Sequence, residues 1–242
     1  MKALYLLLDL FSLSIPLIRS FEPKVQFNRQ WKYLFPAILI TGSFFILWDI
    51  IFTQLGVWGF NPKYLAGIFL AGLPLEEWLF FICIPYACVF TYAALNRFIK
   101  NDWLGPYARN ITLVMVLVLS VVGLSHLDRA YTITTFALTV IFLLLHLWVF
   151  KSEYLGRFYL AYAVILLPFF LVNGILTGSF IEEQVVWYNN DENLGIRLFT
   201  IPIEDSIYGM LLILMNVTIF EWLKKRDQKQ TYEVSKPRRS NR

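Results

Sequence analysis

The chain has 242 residues, of which 58% are hydrophobic and only 16% are charged. A soluble domain averages about 25% charged residues, and the apolar residues here fall in runs long enough to cross a bilayer. The spans use up most of the length, which leaves no room for a separate soluble domain. The formal net charge of +4 does not indicate nucleic-acid binding, because the basic residues lie between the spans and in the tail.

Seven apolar segments follow in chain order and predict seven transmembrane helices. They cover residues 4–18, 33–52, 74–95, 111–124, 131–150, 158–176 and 201–223. Asp9 interrupts the first segment and no small-residue cleavage site follows it, so we expect a retained helix rather than a signal peptide. Residues 225–242 are basic and polar, and we expect them to form a disordered cytoplasmic tail.

An internal repeat organises these helices. The stretch GVWGFNPKYLAGIFLAGLPLEEWLFF resembles QVVWYNNDENLGIRLFTIPIEDSIYG, and upstream FFILWDIIFT resembles FFLVNGILTG. Four crossings separate corresponding helices, so the two copies run parallel through the membrane. We therefore predict an all-α membrane protein with about seven transmembrane helices. Its parts are a first three-helix repeat (1–100), a linker helix (101–130) and a second three-helix repeat (131–224).

Two pairs of acids occupy matching places in the repeats. A proline opens the third and the seventh helix, and two carboxylates follow it, Glu76 and Glu77 in one copy and Glu204 and Asp205 in the other. Acids in a first turn suit the positive end of the helix dipole, so one interpretation is helix capping at a wet interface. Against it, apolar sequence precedes both pairs. Ionisable residues inside a membrane are candidates for a functional site.

Further polar and aromatic side chains are predicted near these acids. Asp49 in the second helix and Asn173 in the sixth fall in the same half of the membrane as the acids. Phe80 and Tyr208 each follow the first acid of their pair by one turn, so they share its helix face. An acid beside aromatic faces suits the protonation of an alkene, since the rings stabilise the resulting carbocation. The candidates for substrate binding are Trp48, Asp49, Phe80, Phe81, Asn173 and Tyr208.

Other chemically capable residues give weaker signals. Asp9 and Asn216 lie within spans and are further candidates for the bundle interior. Cys83 and Cys88 have no histidine or cysteine companion nearby, so we expect buried, inert thiols and no metal site.

These residues resemble the lycopene cyclase domain family. The resemblance rests on LGVWGFNPKYLAGIFLAGLPLEEWLFFICIPYACVFTYAAL and on its echo IPIEDSIYGMLLILMN, and it extends through WKYLFPAILI and ILWDIIFT to nearly the whole chain. It implies a fused form of an enzyme whose halves also occur as separate subunits. The implied reaction closes the acyclic ends of lycopene into β-rings without net redox change, giving γ-carotene or β-carotene.

The resemblance also implies a site. The acidic motif of the family maps onto Glu76 and Glu77, and by the repeat onto Glu204 and Asp205. We expect Glu76 or Glu204 to protonate lycopene or a related acyclic carotenoid within the lipid, and a neighbouring carboxylate to take the proton back. No cofactor is expected, because the Gly-rich fingerprint of flavin-dependent cyclases is missing, although a flavin that acts only as a base would escape a motif search.

Other membrane functions fit the sequence less well. Parallel three-helix repeats joined by one helix also build some transporters, but a transporter predicts polar groups near the midplane rather than an acidic cluster off-centre. A retinal-binding protein needs a lysine inside the seventh helix, and the first lysine there is Lys224. The residues that follow Glu77 do not support an intramembrane glutamate protease.

The distribution of basic residues orients the chain. Seventeen lysines and arginines fall in the loops after the first, third and fifth helices and in the tail, and four fall on the other side: Lys2, Lys63, Arg129 and Arg197. The positive-inside rule then predicts a multi-pass protein of the cell membrane, with its N-terminus outside and its C-terminus in the cytoplasm.

This orientation predicts the outcome of reporter fusions. Reporters placed at Lys100 and after Lys224 should be active as cytoplasmic reporters, and one near Lys63 should be active as an external reporter, because an odd number of spans separates the two groups. The same side for Lys63 and Lys100 would contradict the seven-helix topology.

Overall fold

Seven α-helices follow one another in the computed structural model, which describes residues 2–235. They are α1 (Leu4–Arg19), α2 (Trp31–Gln54), α3 (Leu75–Phe98), α4 (Ala108–Leu124), α5 (Ala130–Leu145), α6 (Leu155–Leu176) and α7 (Ile203–Ser235). A single π-helical turn, His146–Phe150, extends α5. Within the described residues, six helical segments are long and apolar enough to cross a membrane. The protein is thus an all-α, multi-pass membrane protein, as the sequence predicts.

The two ends of the helical series differ from the other helices. The first predicted segment corresponds to α1, whose 16 residues extend about 24 Å at 1.5 Å per residue. That is shorter than the ~30 Å hydrocarbon core, so the crossing of α1 stays a prediction. The predicted disordered tail is wrong for residues 225–235, which continue the last turns of α7. Residues 236–242 of that tail lie outside the described part of the chain.

The helices pair in the same way in both halves of the chain. α1 packs along α3, and α5 packs along α7. α2 crosses to contact α7 of the other half, and α6 crosses to contact α3. α3 and α7 meet at the centre, while α4 lies outside this arrangement against α5 and α6. Each half therefore supplies one helix to the core of the other.

Three short antiparallel ribbons cover one end of the bundle. In the first, β1 (Trp58–Phe60) from the first half pairs with β4 (Val186–Tyr188) from the second, with Gly59 opposite Trp187. The other two are hairpins that lead directly into α3 and α7. Their strands are β2 (Phe69–Leu70), β3 (Leu73–Pro74), β5 (Arg197–Leu198) and β6 (Ile201–Pro202).

The hairpins were not predicted from the sequence. The apolar stretch before α3 contains Ala71 and Gly72, and both adopt positive φ, 51° and 86°. Two successive residues with positive φ form a type I′ turn, which matches the twist of a two-stranded ribbon. The strand ends at Pro74, which cannot donate a hydrogen bond to continue the ladder. α3 begins at the next residue and has both acids in its first turn.

One close backbone approach fixes the N-terminal end of α6. Gly156 in its first turn lies against the backbone of Gly105, and a Cβ at Gly156 would be 2.3 Å from the Gly105 nitrogen. A backbone atom cannot move aside as a flexible side chain can. Only glycine therefore allows α6 to pack this closely on the segment before α4.

Replacing this glycine should destabilise the protein. Gly156→Ala forces an overpacked contact that costs about 1–3 kcal/mol. Gly42→Ala is the matched control, since its Cβ would be 3.7 Å from the nearest atom and alanine favours a helix over glycine by roughly 0.5–1 kcal/mol. Thermal unfolding in detergent should show a lower Tm for Gly156→Ala and an unchanged or higher Tm for Gly42→Ala. Equal Tm values would contradict the contact.

Candidate active site

An elongated cavity of about 310 Å³ lies between α1, α3, α6 and α7. One face of α3 forms a wall, with Glu77, Phe80, Ile84, Ala87 and Thr91 following at helical spacing. From Glu77 to Thr91 the helix advances by fourteen residues, which is about 21 Å along its axis. Acids lie at the ribbon end of the cavity, and the rest of the wall is almost entirely apolar. Such a space fits a long hydrocarbon whose end reaches the acids.

The acid of the first repeat on this wall is Glu77. The hydroxyl of Tyr5 in α1 donates to its Oε2 at 2.6 Å. The carboxyl group of Asp49 in α2 lines the same cavity and interacts electrostatically with that of Glu77. The indole nitrogen of Trp58 donates to Asp49 Oδ1, and no donor among the described residues reaches Asp49 Oδ2. Two neighbouring buried carboxyl groups repel each other when both are ionised, so the pair favours a state in which one of them keeps a proton.

The acid of the second repeat, Asp205, has a different set of partners. The hydroxyl of Tyr131 donates to its Oδ1 at 2.6 Å. The amide of Asn173 and the hydroxyl of Tyr188 donate to Oδ2 at 2.8 Å and 2.9 Å. Three donors satisfy the acceptor oxygens of a buried carboxylate without any added proton.

The two acid sites are versions of one scaffold. Tyr5 and Tyr131 occupy the same position at the start of α1 and α5, and each donates to the second acid of its repeat. Asp49 interacts electrostatically with the second acid of its repeat, and the amide of Asn173 donates to the second acid of the other. The exchange of a carboxyl for an amide at this place makes one site an acid pair and the other a single carboxylate.

The first acid of each pair has a different environment. Glu76 and Glu204 are buried but do not line the cavity. Their Oε1 atoms accept from the backbone nitrogens of Ala66 and Leu194, at 2.6 Å and 2.8 Å. Each glutamate thus holds the loop that precedes its helix. This location argues against the expectation that Glu76 or Glu204 protonates the substrate.

Aromatic rings surround the acid end of the cavity. The rings of Trp58, Tyr131 and Tyr208 contact one another, with Tyr208 at a centroid distance of 6.2 Å from each of the other two and those two 5.1 Å apart. Phe80 and Tyr208 line the cavity, as the sequence suggests. Trp48 and Phe81 were expected to bind substrate, but they are buried outside the cavity wall.

A second set of rings fills the corresponding place in the other half. By the repeat, the space between α5, α7, α2 and α3 corresponds to the cavity. There the rings of Phe45 and Trp48 pack on Tyr208 at 5.0 Å and 5.1 Å, and Phe52 packs on Trp48 at 5.8 Å. All three α2 rings are buried. The two halves therefore share a scaffold, but they differ in what lies between the helices. The cavity lies between α1, α3, α6 and α7, and aromatic rings fill the corresponding space between α5, α7, α2 and α3.

The structure separates the ten predicted site residues into two groups. Six of them line the cavity: Asp49, Glu77, Phe80, Asn173, Asp205 and Tyr208. Residues that the sequence did not single out are Tyr5 and Tyr131, the phenols that hold the two acids. A signal existed in the sequence, because a tyrosine stands at the same place in both repeats, near the start of the first helix.

The two remaining polar candidates of the spans, Asp9 and Asn216, do not line this cavity. Asp9 is fully buried, and neither of its carboxyl oxygens has a donor among the described residues. Asn216 donates to the backbone of its own helix. Cys83 and Cys88 are free and buried, as expected, and Cys88 contributes its side chain to the cavity wall.

Comparison with known proteins identifies the family. The chain matches no curated protein and no solved structure. A family model described as lycopene cyclase matches residues 2–95 and again residues 128–223. The two matched segments correspond to the two halves that share the packing of three helices and the paired acids. Because the model matches most of the chain, this protein belongs to the lycopene cyclase family.

Proposed function

We propose that the protein is a lycopene β-cyclase that closes the acyclic ends of lycopene into β-rings by acid catalysis. Family membership supports a carotenoid cyclase with a carotenoid substrate. The single observation that carries the finer proposal is the arrangement of acids. A carboxyl pair, Asp49 and Glu77, and a separate carboxylate, Asp205, line one apolar cavity.

The first step is a proton transfer from the carboxyl pair. Glu77 gives its proton to the terminal double bond of the acyclic end, and a tertiary cation forms on the adjacent carbon. Asp49 shares that proton before the transfer, and Tyr5 stabilises the carboxylate that Glu77 becomes. A positioned acid of this kind contributes about 10²–10⁴-fold to a rate.

The second step closes the ring. The internal double bond attacks the cation, a carbon–carbon bond forms, and the positive charge moves to a ring carbon. The faces of Phe80 and Tyr208 lie along the cavity wall and stabilise such a charge through their quadrupoles. The apolar wall keeps out water, which would otherwise trap the cation as an alcohol.

The last step returns a proton to the protein. A neighbouring carbon of the new ring loses a proton to a carboxylate, for which Asp205 is the best candidate because three donors hold it ready as an acceptor. One proton enters and one leaves, so atoms and electrons balance without an oxidant or a reductant. The proton leaves from the ring carbon that carries the polyene chain, so the new double bond lies in the ring and is conjugated with that chain, which defines the β-ring.

Amide variants test the roles of the acids. Glu77→Gln should lower the rate of ring formation about a hundredfold or more, since it removes the transferable proton. Asp205→Asn should give a loss of similar size, because an amide is a poor proton acceptor. Initial rates in proteoliposomes with lycopene, normalised to folded protein, provide the measurement.

The matched control is Glu76→Gln, one residue away on the same helix. Its side chain keeps an oxygen that accepts from Ala66, so we expect a rate within about tenfold of the wild type. If Glu76→Gln lost as much activity as Glu77→Gln, the proposal would have named the wrong acid as the proton donor. Full activity in both Glu77→Gln and Asp205→Asn would reject the mechanism.

Isotope labelling tests the proton balance. Purified protein that converts lycopene in deuterated buffer, without added flavin or nicotinamide, should incorporate one solvent deuterium per ring formed. Product and substrate should otherwise have equal mass, because the ring is an isomer of the open end. Rings without solvent label, or an obligatory need for a reduced flavin, would contradict a redox-neutral proton transfer.

A further inference from the structure

The cavity reaches the outer surface of the bundle between α1 and α6. These two helices contact each other at the ribbon end, where Tyr5 and Leu8 cluster with Leu176. Farther along, Phe11 and Ile15 of α1 and Leu171 of α6 line the cavity although each is more than half exposed. A side chain that borders a cavity and also the outer surface marks an opening. We call this opening the α1–α6 gap.

The chemistry of the gap is apolar on both sides. Its lining residues in α1 are Phe11, Ser12, Ile15 and Pro16, and those in α6 are Pro168 and Leu171. The hydroxyl of Ser12 donates to the backbone oxygen of Leu8, so it presents no free donor. The gap therefore opens onto the lipid-facing side of two apolar helices, where no charge opposes the passage of a hydrocarbon.

The ribbon end of the cavity is a less suitable entrance. The β1–β4 ribbon crosses it, with Trp58 and Tyr188 bonded to the acids beneath. Outside the ribbon, Lys63 forms ion pairs with Glu182 and Glu183 at 3.1 Å and 3.3 Å. An apolar molecule would have to leave the lipid and pass this charged cover to arrive from the water.

We propose that the α1–α6 gap is a binding site for the unreacted polyene chain of the substrate and the route by which that substrate enters from the lipid. The proposal rests on the proposed function for the identity of the substrate. One acyclic end lies at the acids, and the wall along α3 accepts the adjacent part of the chain over about 21 Å. The remaining chain, which carries the second end, passes between α1 and α6 and stays in the hydrocarbon layer.

Two serines of α1 provide a matched pair of variants. Ser12 lines the gap and Ser14 does not, and both hydroxyls bond to the backbone of their own helix. Ser12→Phe should narrow the gap and weaken lycopene binding and turnover tenfold or more, whereas Ser14→Phe should stay within twofold of the wild type. Quenching of tryptophan fluorescence by lycopene in nanodiscs measures binding, and ring formation measures turnover.

Further controls separate this inference from the function itself. Ser12→Leu, a smaller change, should give an intermediate loss if Ser12→Phe folds poorly. A short acyclic polyene with the same end group should bind Ser12→Phe as well as it binds the wild type, because it fits inside the cavity. Three results would overturn the proposal for the gap. They are unaltered lycopene binding in Ser12→Phe, equal losses in both serine variants, and no lycopene binding to the wild type. If the wild-type protein binds lycopene but forms no ring, the proposed cyclase function is rejected. The role of the gap is then judged from the binding measurements of the two serine variants alone.

Discussion

The burial of carboxyl groups in a bundle that crosses a membrane is the constraint on which the rest of this structure depends. A buried carboxylate without donors or a proton is costly, so each acid needs partners from other elements. Tyr5 and Tyr131 supply them from α1 and α5, and the crossing ribbon supplies Trp58 and Tyr188. The ribbon and the starts of four helices are thereby fixed around one small polar region, while the rest of the bundle packs as hydrocarbon. Hydrogen bonding to the acids therefore fixes the polar end of each half, and the pairing of β1 with β4 joins the two halves there.

Duplication gives this region two related acids, and one substitution makes their chemistry different. Where the first half has the carboxyl group of Asp49, the second half has the amide of Asn173. A carboxyl neighbour retains a proton between two acids, whereas an amide neighbour donates to an acid that has lost its proton. Proton-transfer chemistry on a hydrocarbon needs both a donor and an acceptor, and a symmetric pair of sites would supply two copies of one of them. The divergence of the repeats is thus as important as their similarity.

The helices and the acids could be predicted from the sequence, because long apolar runs and intramembrane charges are strong local signals. The hairpins before α3 and α7 could not, since their apolar residues continue into the helical pattern and only the backbone shows the positive φ of Ala71 and Gly72. The assignment of Glu77 rather than Glu76 to the cavity also escaped prediction. Adjacent residues on a helix point about 100° apart, and the sequence alone does not say which direction faces the cavity. Tyr5 and Tyr131 were missed because tyrosine near a membrane surface is common.

The aromatic filling of the second half has a kinetic consequence. Phe45 and Trp48 occupy the place that corresponds to the cavity, so under the proposed function a substrate with two identical ends meets the cavity in one of the two halves. A molecule with both ends closed then requires two separate visits, with the chain reversed between them. The singly closed molecule competes with fresh substrate for the second visit, so the product ratio depends on its residence time and on the local carotenoid concentration. Under the proposed function, low processivity follows from the packing around Tyr208 and does not depend on the rate of the chemical step.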